Sequence, residues 1–197
     1  GGAIYSRGKI DIDNATFTSN ISTDAGGAIV LSSSQGNDAN PLPVLSSVMS
    51  NTTFSKNSSV NGGALYILGS ANNDNYVTIS NSSFTGNSAS ERGGAIYADR
   101  YSNTTIIDTN FTNNTASVSG GAIFINGGAT VSVIAKTKDV VFSGNKVGKV
   151  SNAIYLDSGY GKTESDYHIW YTAILNLIAE NNRTIYVKDN IDGTEGI

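Results

Sequence analysis

Chemistry in this chain would have to come from its carboxylates and a single histidine, and their placement argues against it. Cleaving a polysaccharide needs carboxylates clustered on one strand face, often with Lys, Arg or His beside them. Asp11, Asp13, Asp24, Asp99, Asp108, Asp139 and Asp157 instead lie scattered, at no common position in any repeat. Asp11 and Asp13 stand two apart on one face of an extended segment, with only Arg7 and Lys9 as basic neighbours. His168 has no Ser, Cys or second His motif around it, and beside Trp170 it reads as a packing or surface residue. Asn72, Asn73, Asp74 and Asn75 could offer oxygen ligands to Ca²⁺, but no EF-hand spacing accompanies them, so a solvated loop is expected. The expectation is a protein without catalytic residues, metal ligands or cofactor.

What recurs is structural. Phe-x-x-Asn occurs five times, at Phe17–Asn20, Phe54–Asn57, Phe84–Asn87, Phe111–Asn114 and Phe142–Asn145. Alternating with it are Gly1-Gly2-Ala3-Ile4, Gly26-Gly27-Ala28-Ile29, Gly62-Gly63-Ala64-Leu65, Gly93-Gly94-Ala95-Ile96 and Gly120-Gly121-Ala122-Ile123, then a worn copy, Ser151-Asn152-Ala153-Ile154. From each Phe to the next Gly-Gly-Ala copy the offset is 9, 8, 9, 9 and 9 residues, whereas the return offsets are 16, 28, 22, 18 and 22. A period of this order marks a stacked solenoid, and insertions confined to one connection place them on one face.

The coils are expected to be strands. The chain has 22 Gly, 2 Pro and no Cys among abundant Asn, Ser and Thr, and apolar residues alternate with polar ones in Lys9–Asp13 and Thr104–Asp108. Only 173–180 could pass for a short helix, and its Ile and Leu suit a strand equally. Each coil then holds a Gly-Gly-Ala strand, a second strand such as Lys9–Asp13, and a third ending at Phe. Residues three apart on a strand face opposite ways, so Phe and Asn can both point inward only if the chain bends between them. Phe is read as the last inward residue and Asn as a corner residue, giving a Phe ladder inside and an Asn ladder at one corner. The glycine pair permits positive φ and close approach of neighbouring coils. Past it, Ile or Leu faces the core, and Tyr5, Val30, Tyr66, Tyr97, Phe124 and Tyr155 line the outside. The aromatic members, Tyr5, Tyr66, Tyr97, Phe124 and Tyr155, form a candidate binding face, or else stiffen the sheet by stacking.

The paired, ordered motifs resemble the repeat of the polymorphic membrane proteins, the chlamydial-type autotransporter adhesins, from Gly1 to about Ile154. The resemblance implies a right-handed parallel β-helix of pectin-lyase-like, single-stranded solenoid type, exported to the cell surface or outer membrane, where it attaches to host cells. It also implicates the two tetrapeptides themselves in adhesion. Asn/Thr-rich Gly-Gly-Ala-Ile-Tyr repeats resemble adhesin-like surface proteins of methanogenic archaea as well. The chain starts within a motif and contains neither a membrane barrel nor an apolar run of 18 residues, so it reads as a passenger segment whose membrane link lies elsewhere.

A net charge of −4, with charged residues at 14%, gives no footprint for nucleic acid and no polybasic membrane patch. The Asn-x-Ser/Thr sequons at Asn14, Asn20, Asn51, Asn57, Asn81, Asn103, Asn110, Asn113 and Asn182 are expected from composition alone. Residues 1–197 are read as one domain, with repeat coils over 1–158 and an aromatic insertion with terminal coils over 159–197. Ser32–Ser47, holding Pro41 and Pro43, reads as a projecting loop. The expected function is attachment to a protein or glycan receptor on host or neighbouring cells, with end-to-end self-association through open strand edges. The alternatives are a structural stalk and, further off, a carbohydrate-active β-helix enzyme.

Overall fold

The computed structural model describes residues 1–33, 45–71, 73–162 and 168–193. Among these there is no helix, and the strands stack into four sheets along a β-helix, parallel throughout except where Lys146–Val147 pairs antiparallel with Val150–Ser151. The first sheet holds seven strands, the first five of which begin directly after a Gly-Gly-Ala: Ile4–Ser6, Ile29–Ser32, Leu65–Leu68, Ile96–Ala98, Ile123–Asn126, Ile154–Asp157 and Ile191–Gly193. Asp11–Asp13, Leu45–Ser50, Asn75–Ser80, Ser102–Ile107, Thr130–Ala135 and Ile174–Ala179 form the second. The third is the Phe sheet, from Thr16–Thr18 to Ile185–Val187. Segment 173–180, ambiguous in sequence, is thus a strand.

The fourth sheet was not expected. Ser58–Asn61, Ser88–Arg92, Thr115–Ala116 and Lys146–Val147 pair in parallel within the fixed-length connection from Phe to Gly-Gly-Ala. Phe accordingly does not end its strand but sits at the centre of three-residue strands such as Thr53–Ser55 and Ser83–Thr85. The bend between Phe and Asn falls on the residue before Asn: Ser19, Lys56, Gly86, Asn113 and Gly144 all have φ between 55° and 72°. That left-handed step reverses the alternation and turns Asn inward.

The interior is a set of columns. Phe54, Phe84, Phe111 and Phe142 are fully buried, and Phe17 half-buried, with successive ring centroids 4.6–5.2 Å apart and planes within 8° of parallel. Centroid spacing close to the strand spacing of about 4.8 Å lets every ring tile on the next without strain. Beside it runs the Asn ladder. Asn87 Nδ2 donates to Asn114 Oδ1 (3.0 Å) and to the Phe54 carbonyl (3.0 Å), while its own Oδ1 accepts from Asn57 N–H (3.0 Å) and Nδ2 (2.9 Å). Asn57, Asn114 and Asn145 repeat this pattern, so a row of buried amides is satisfied by its own periodicity. Asn57, fully buried in this ladder, has no room for a glycan at its sequon, whereas Asn14, Asn51 and Asn81 lie on exposed corners.

The two glycines divide their work. Gly26, Gly62, Gly93 and Gly120 have φ of 56–65°, where a side chain is strained. Gly27, Gly63, Gly94 and Gly121 would each place a Cβ 2.0–2.3 Å from a backbone carbonyl oxygen of the next coil.

Insertions leave from the first two sheets. The long one after Ile29–Ser32 re-enters as strand Leu45–Ser50, so Leu45–Ser47 is strand rather than loop, while 34–44, with both prolines, lie outside the described residues. Asn72 is also outside them, and Asn75 opens a strand. Gly159–Lys162 and His168–Tyr171 pair as an antiparallel ribbon apart from the four sheets.

One corner shows how an insertion is pinned. Asp108, at φ 50°, accepts from the backbone N–H groups of Lys136 (2.7 Å), Thr137 (3.0 Å) and Lys138 (3.2 Å) and from the Thr137 hydroxyl (2.6 Å). Burial pushes its carboxyl up, but these donors together outweigh it and hold the pKa at about 2. A depressed carboxylate stabilises the fold fully above its unfolded value near 4, and that stability is lost as pH falls towards 2. Asp108→Asn, which tolerates the same φ, should therefore cost on the order of 1 kcal/mol at pH 7 after solvent screening. Thermal melts of the two proteins should converge between pH 4 and 2; a constant gap down to pH 2 would remove Asp108 from the acid response.

Candidate functional site

The sequence placed the candidate binding face on residues that alternate with the core Ile and Leu of the Gly-Gly-Ala strands. The register aligns Tyr5, Val30, Tyr66, Tyr97, Phe124 and Tyr155 in one outward column. Its rings mostly cover one another: centroids lie 5.0 Å apart for Tyr66–Tyr97, 4.8 Å for Tyr97–Phe124 and 5.8 Å for Phe124–Tyr155. The Arg92 guanidinium lies 5.5 Å from the Phe124 centroid. As a result Phe124 and Tyr97 are buried, Tyr66 and Tyr155 half-buried, and only Tyr5, 58% exposed, is open. Of the two readings of this column, binding face or stacked stiffener, the geometry shows stacking, because from Tyr66 to Tyr155 each ring finds its neighbour at van der Waals range.

A polar cluster secures the wall. The Tyr66 hydroxyl donates to the Asp99 carboxylate, which also accepts from Asn126 Nδ2 (2.7 Å) and Arg100 N–H (2.8 Å). Burial, followed by the Asp99 charge, raises the Tyr66 phenol well above its usual range and pushes Tyr97 up to about 12. Both therefore stay neutral hydrogen-bond donors at physiological pH. Asp11 and Asp13, the other pair considered for chemistry, have structural partners. Lys9 pairs with Asp11 at 3.0 Å, and Asp13 accepts from Ser50 Oγ (2.6 Å) and Asn51 Nδ2 (2.8 Å) on the next coil. Among the described residues, no three His, Cys, Asp or Glu come together in a way that could hold a metal ion.

The tetrapeptides lie inside. Every Phe and Asn from Phe54 to Asn145, and every Gly-Gly-Ala-Ile/Leu from Gly26 to Ile123, is buried. What the outside offers, besides the wall, is a groove of about 640 Å³ along the fourth sheet. Ser58, Ser88 and Thr115 line it at successive coils, with Ser22, Ser90 and Ser117 beside them. Motif reading passed over it because the connection looked like a corner; the hint was a hydroxyl residue directly after Asn57, Asn87 and Asn114.

Asp189 was also missed. It caps the Asn ladder, accepting from Asn145 N–H (2.9 Å) and Nδ2 (2.8 Å), from Gly144 N–H (3.1 Å) and from Ser151 Oγ (3.0 Å). It lies two residues after Val187, which stands in register with Phe142, so the ladder position is taken by a carboxylate one residue short of Asn190, where the motif spacing would put the amide.

Four stacked sheets with an amide ladder and a ring ladder define a parallel β-helix solenoid. Its repeat is that of the Chlamydia polymorphic membrane proteins: the family model matches at residues 14–32, 51–68, 81–99 and 108–126, so the chain carries four copies of this repeat. No curated protein and no solved structure matches the chain. The columns run beyond the matched copies, to Phe142, Asn145 and Ile154. No helix among the described residues is long and apolar enough to cross a membrane, which leaves membrane strands aside.

Proposed function

We propose that the chain is a surface-displayed adhesin segment that attaches to host or neighbouring cells through folded, exposed surfaces rather than through its tetrapeptides as linear epitopes. The reading rests on the four polymorphic membrane protein repeats, a surface-protein hallmark, folded so that their conspicuous residues are out of reach. A receptor can meet only what remains outside: the hydroxyl groove, the edge of the aromatic wall, and the insertions. A protein or glycan receptor suits such a surface, since hydroxyls repeated at about 4.8 Å can follow an extended chain. A stalk is the second reading, and the unbroken Phe and Asn ladders favour it, because they would stiffen a spacer equally well.

Displayed on beads, the folded chain should capture host cells, and a synthetic peptide spanning residues 84–96 should not compete. Competition by that peptide would overturn the conformational reading, and failure of the beads to capture cells would favour the stalk. Ser90→Arg with Ser117→Arg, both exposed in the groove, should lower capture several-fold with unchanged circular dichroism if the groove makes the contact.

A further inference from the structure

The amide ladder has a direction. Asn20, Asn57, Asn87 and Asn114 each send their backbone N–H and Nδ2 to Oδ1 of the Asn one coil further on, at 2.8–3.1 Å. An Asn rung therefore accepts from the coil before it and donates to the coil after it. Asn20 is the first rung and half-buried; with its donors turned to Asn57, its amide oxygen faces the other way.

Asp189 breaks that polarity. One carboxylate oxygen takes both Asn145 donors, as an Asn would, at 2.9 and 2.8 Å. The other stands in place of an amide NH2 and accepts as well, from Gly144 N–H (3.1 Å) and Ser151 Oγ (3.0 Å). On the earlier rungs the matching N–H groups, of Lys56, Gly86 and Asn113, go to strand carbonyls of the next coil. An ionised carboxylate has nothing to donate onward. The chain also reverses at this corner. Ser58, Ser88, Thr115 and Lys146 each donate an N–H to the Asn carbonyl one coil back, but the Asn145 carbonyl is taken by Asn152, just past the reversed strand Val150–Ser151. Ser151 thus ties that strand to Asp189.

The other three sheets are not turned back. Ile174–Ala179, Ile185–Val187 and Ile191–Gly193 stand last at this end, parallel to their neighbours, with Leu177 and Ile191 exposed. Asp11–Asp13, Thr16–Thr18 and Ile4–Ser6 stand last in the same sheets at the opposite end. Edges of matching direction invite copies to stack head to tail. In such a joint the Asn20 amide oxygen of one copy would meet the Asp189 carboxylate of the other, acceptor against acceptor. A buried charge would lose its remaining water and gain no partner.

We propose that Asp189 is a stop on assembly: it rejects the first coil of a second copy and keeps the chain from growing head to tail. The inference goes beyond the adhesion reading and is tested without cells. Terminal coils of solenoids need such a device, since a coil that can accept another invites open-ended growth.

The chain has no Cys, so Thr18→Cys and Lys188→Cys, both exposed, can carry donor and acceptor dyes on separate molecules. Both positions lie in one outward column of the Phe sheet, and a head-to-tail joint brings them to one strand spacing, about 4.8 Å. Parent mixtures should sediment as monomers and show no energy transfer. Asp189→Asn restores an onward donor and should join with transfer, at concentrations at least about tenfold below any joining of the parent. Asn20→Lys leaves Asp189 in place and offers it an ammonium, so it should join likewise; should Asp189→Asn not fold, this variant decides alone. A folded Asp189→Asn that stays monomeric would overturn the proposal, as would head-to-tail joining of the parent or assembly of the variant without transfer.

Discussion

Phe84→Ala is expected to lower the melting temperature by roughly 10 °C, from a loss of about 3–5 kcal/mol in a chain of this size. Phe84 is fully buried, and its ring stacks on Phe54 at 4.6 Å and on Phe111 at 4.9 Å. Alanine would therefore remove two ring contacts and leave a cavity that rigid coils on both sides cannot close. Phe17→Ala should cost distinctly less, because Phe17 is half-buried and its ring stacks on Phe54 at 5.2 Å from one side. Hydrogen exchange should show the Phe84 loss spreading to adjacent coils first, since each coil is stabilised mainly by its neighbours. Equal losses at the two sites would mean that the column does not act as a cooperative stack.

The coil was legible from Phe, Asn and Gly because a solenoid makes the same steric demand at every level, so the answer recurs in sequence. Ser58-Ser59, Ser88-Ala89 and Thr115-Ala116 were not legible as strands. These positions belong to strands of two to five residues with too few apolar residues to show an alternation, and their pairing partners lie 27–31 residues away. The aromatic wall was legible only as two alternatives, an open face or stacked rings. Periodicity says that Tyr97 and Phe124 point outward, but it does not say that neighbours 4.8 Å away will cover them. Asp189 shows the limit of motif reading, since a carboxylate ends the ladder as well as an amide when only acceptors are needed there.

Gly94→Ala should be among the most damaging single methyls in the chain's centre. An ideal Cβ at Gly94 would lie 2.1 Å from the Gly121 carbonyl oxygen and 2.5 Å from that of Thr115. Both are backbone atoms held in the stack, where Gly94 N–H donates to the Gly120 carbonyl at 2.9 Å and Ala95 N–H to that of Ala122 at 2.8 Å. No rotamer can relieve the clash, so two coils must separate, giving up ladder hydrogen bonds and opening the Phe and Asn columns between them. The cost should exceed the ordinary overpacking range of about 1–3 kcal/mol. Gly8→Ala is the matched control: a Cβ there meets nothing within 4 Å, and its backbone does not have positive φ. Gly8→Ala should melt with the parent protein, whereas Gly94→Ala should lose amide protection around residues 94–96 and 121–123 or fail to fold. A Gly94→Ala protein with parental stability would mean that the coils are not held at the spacing the second glycine imposes.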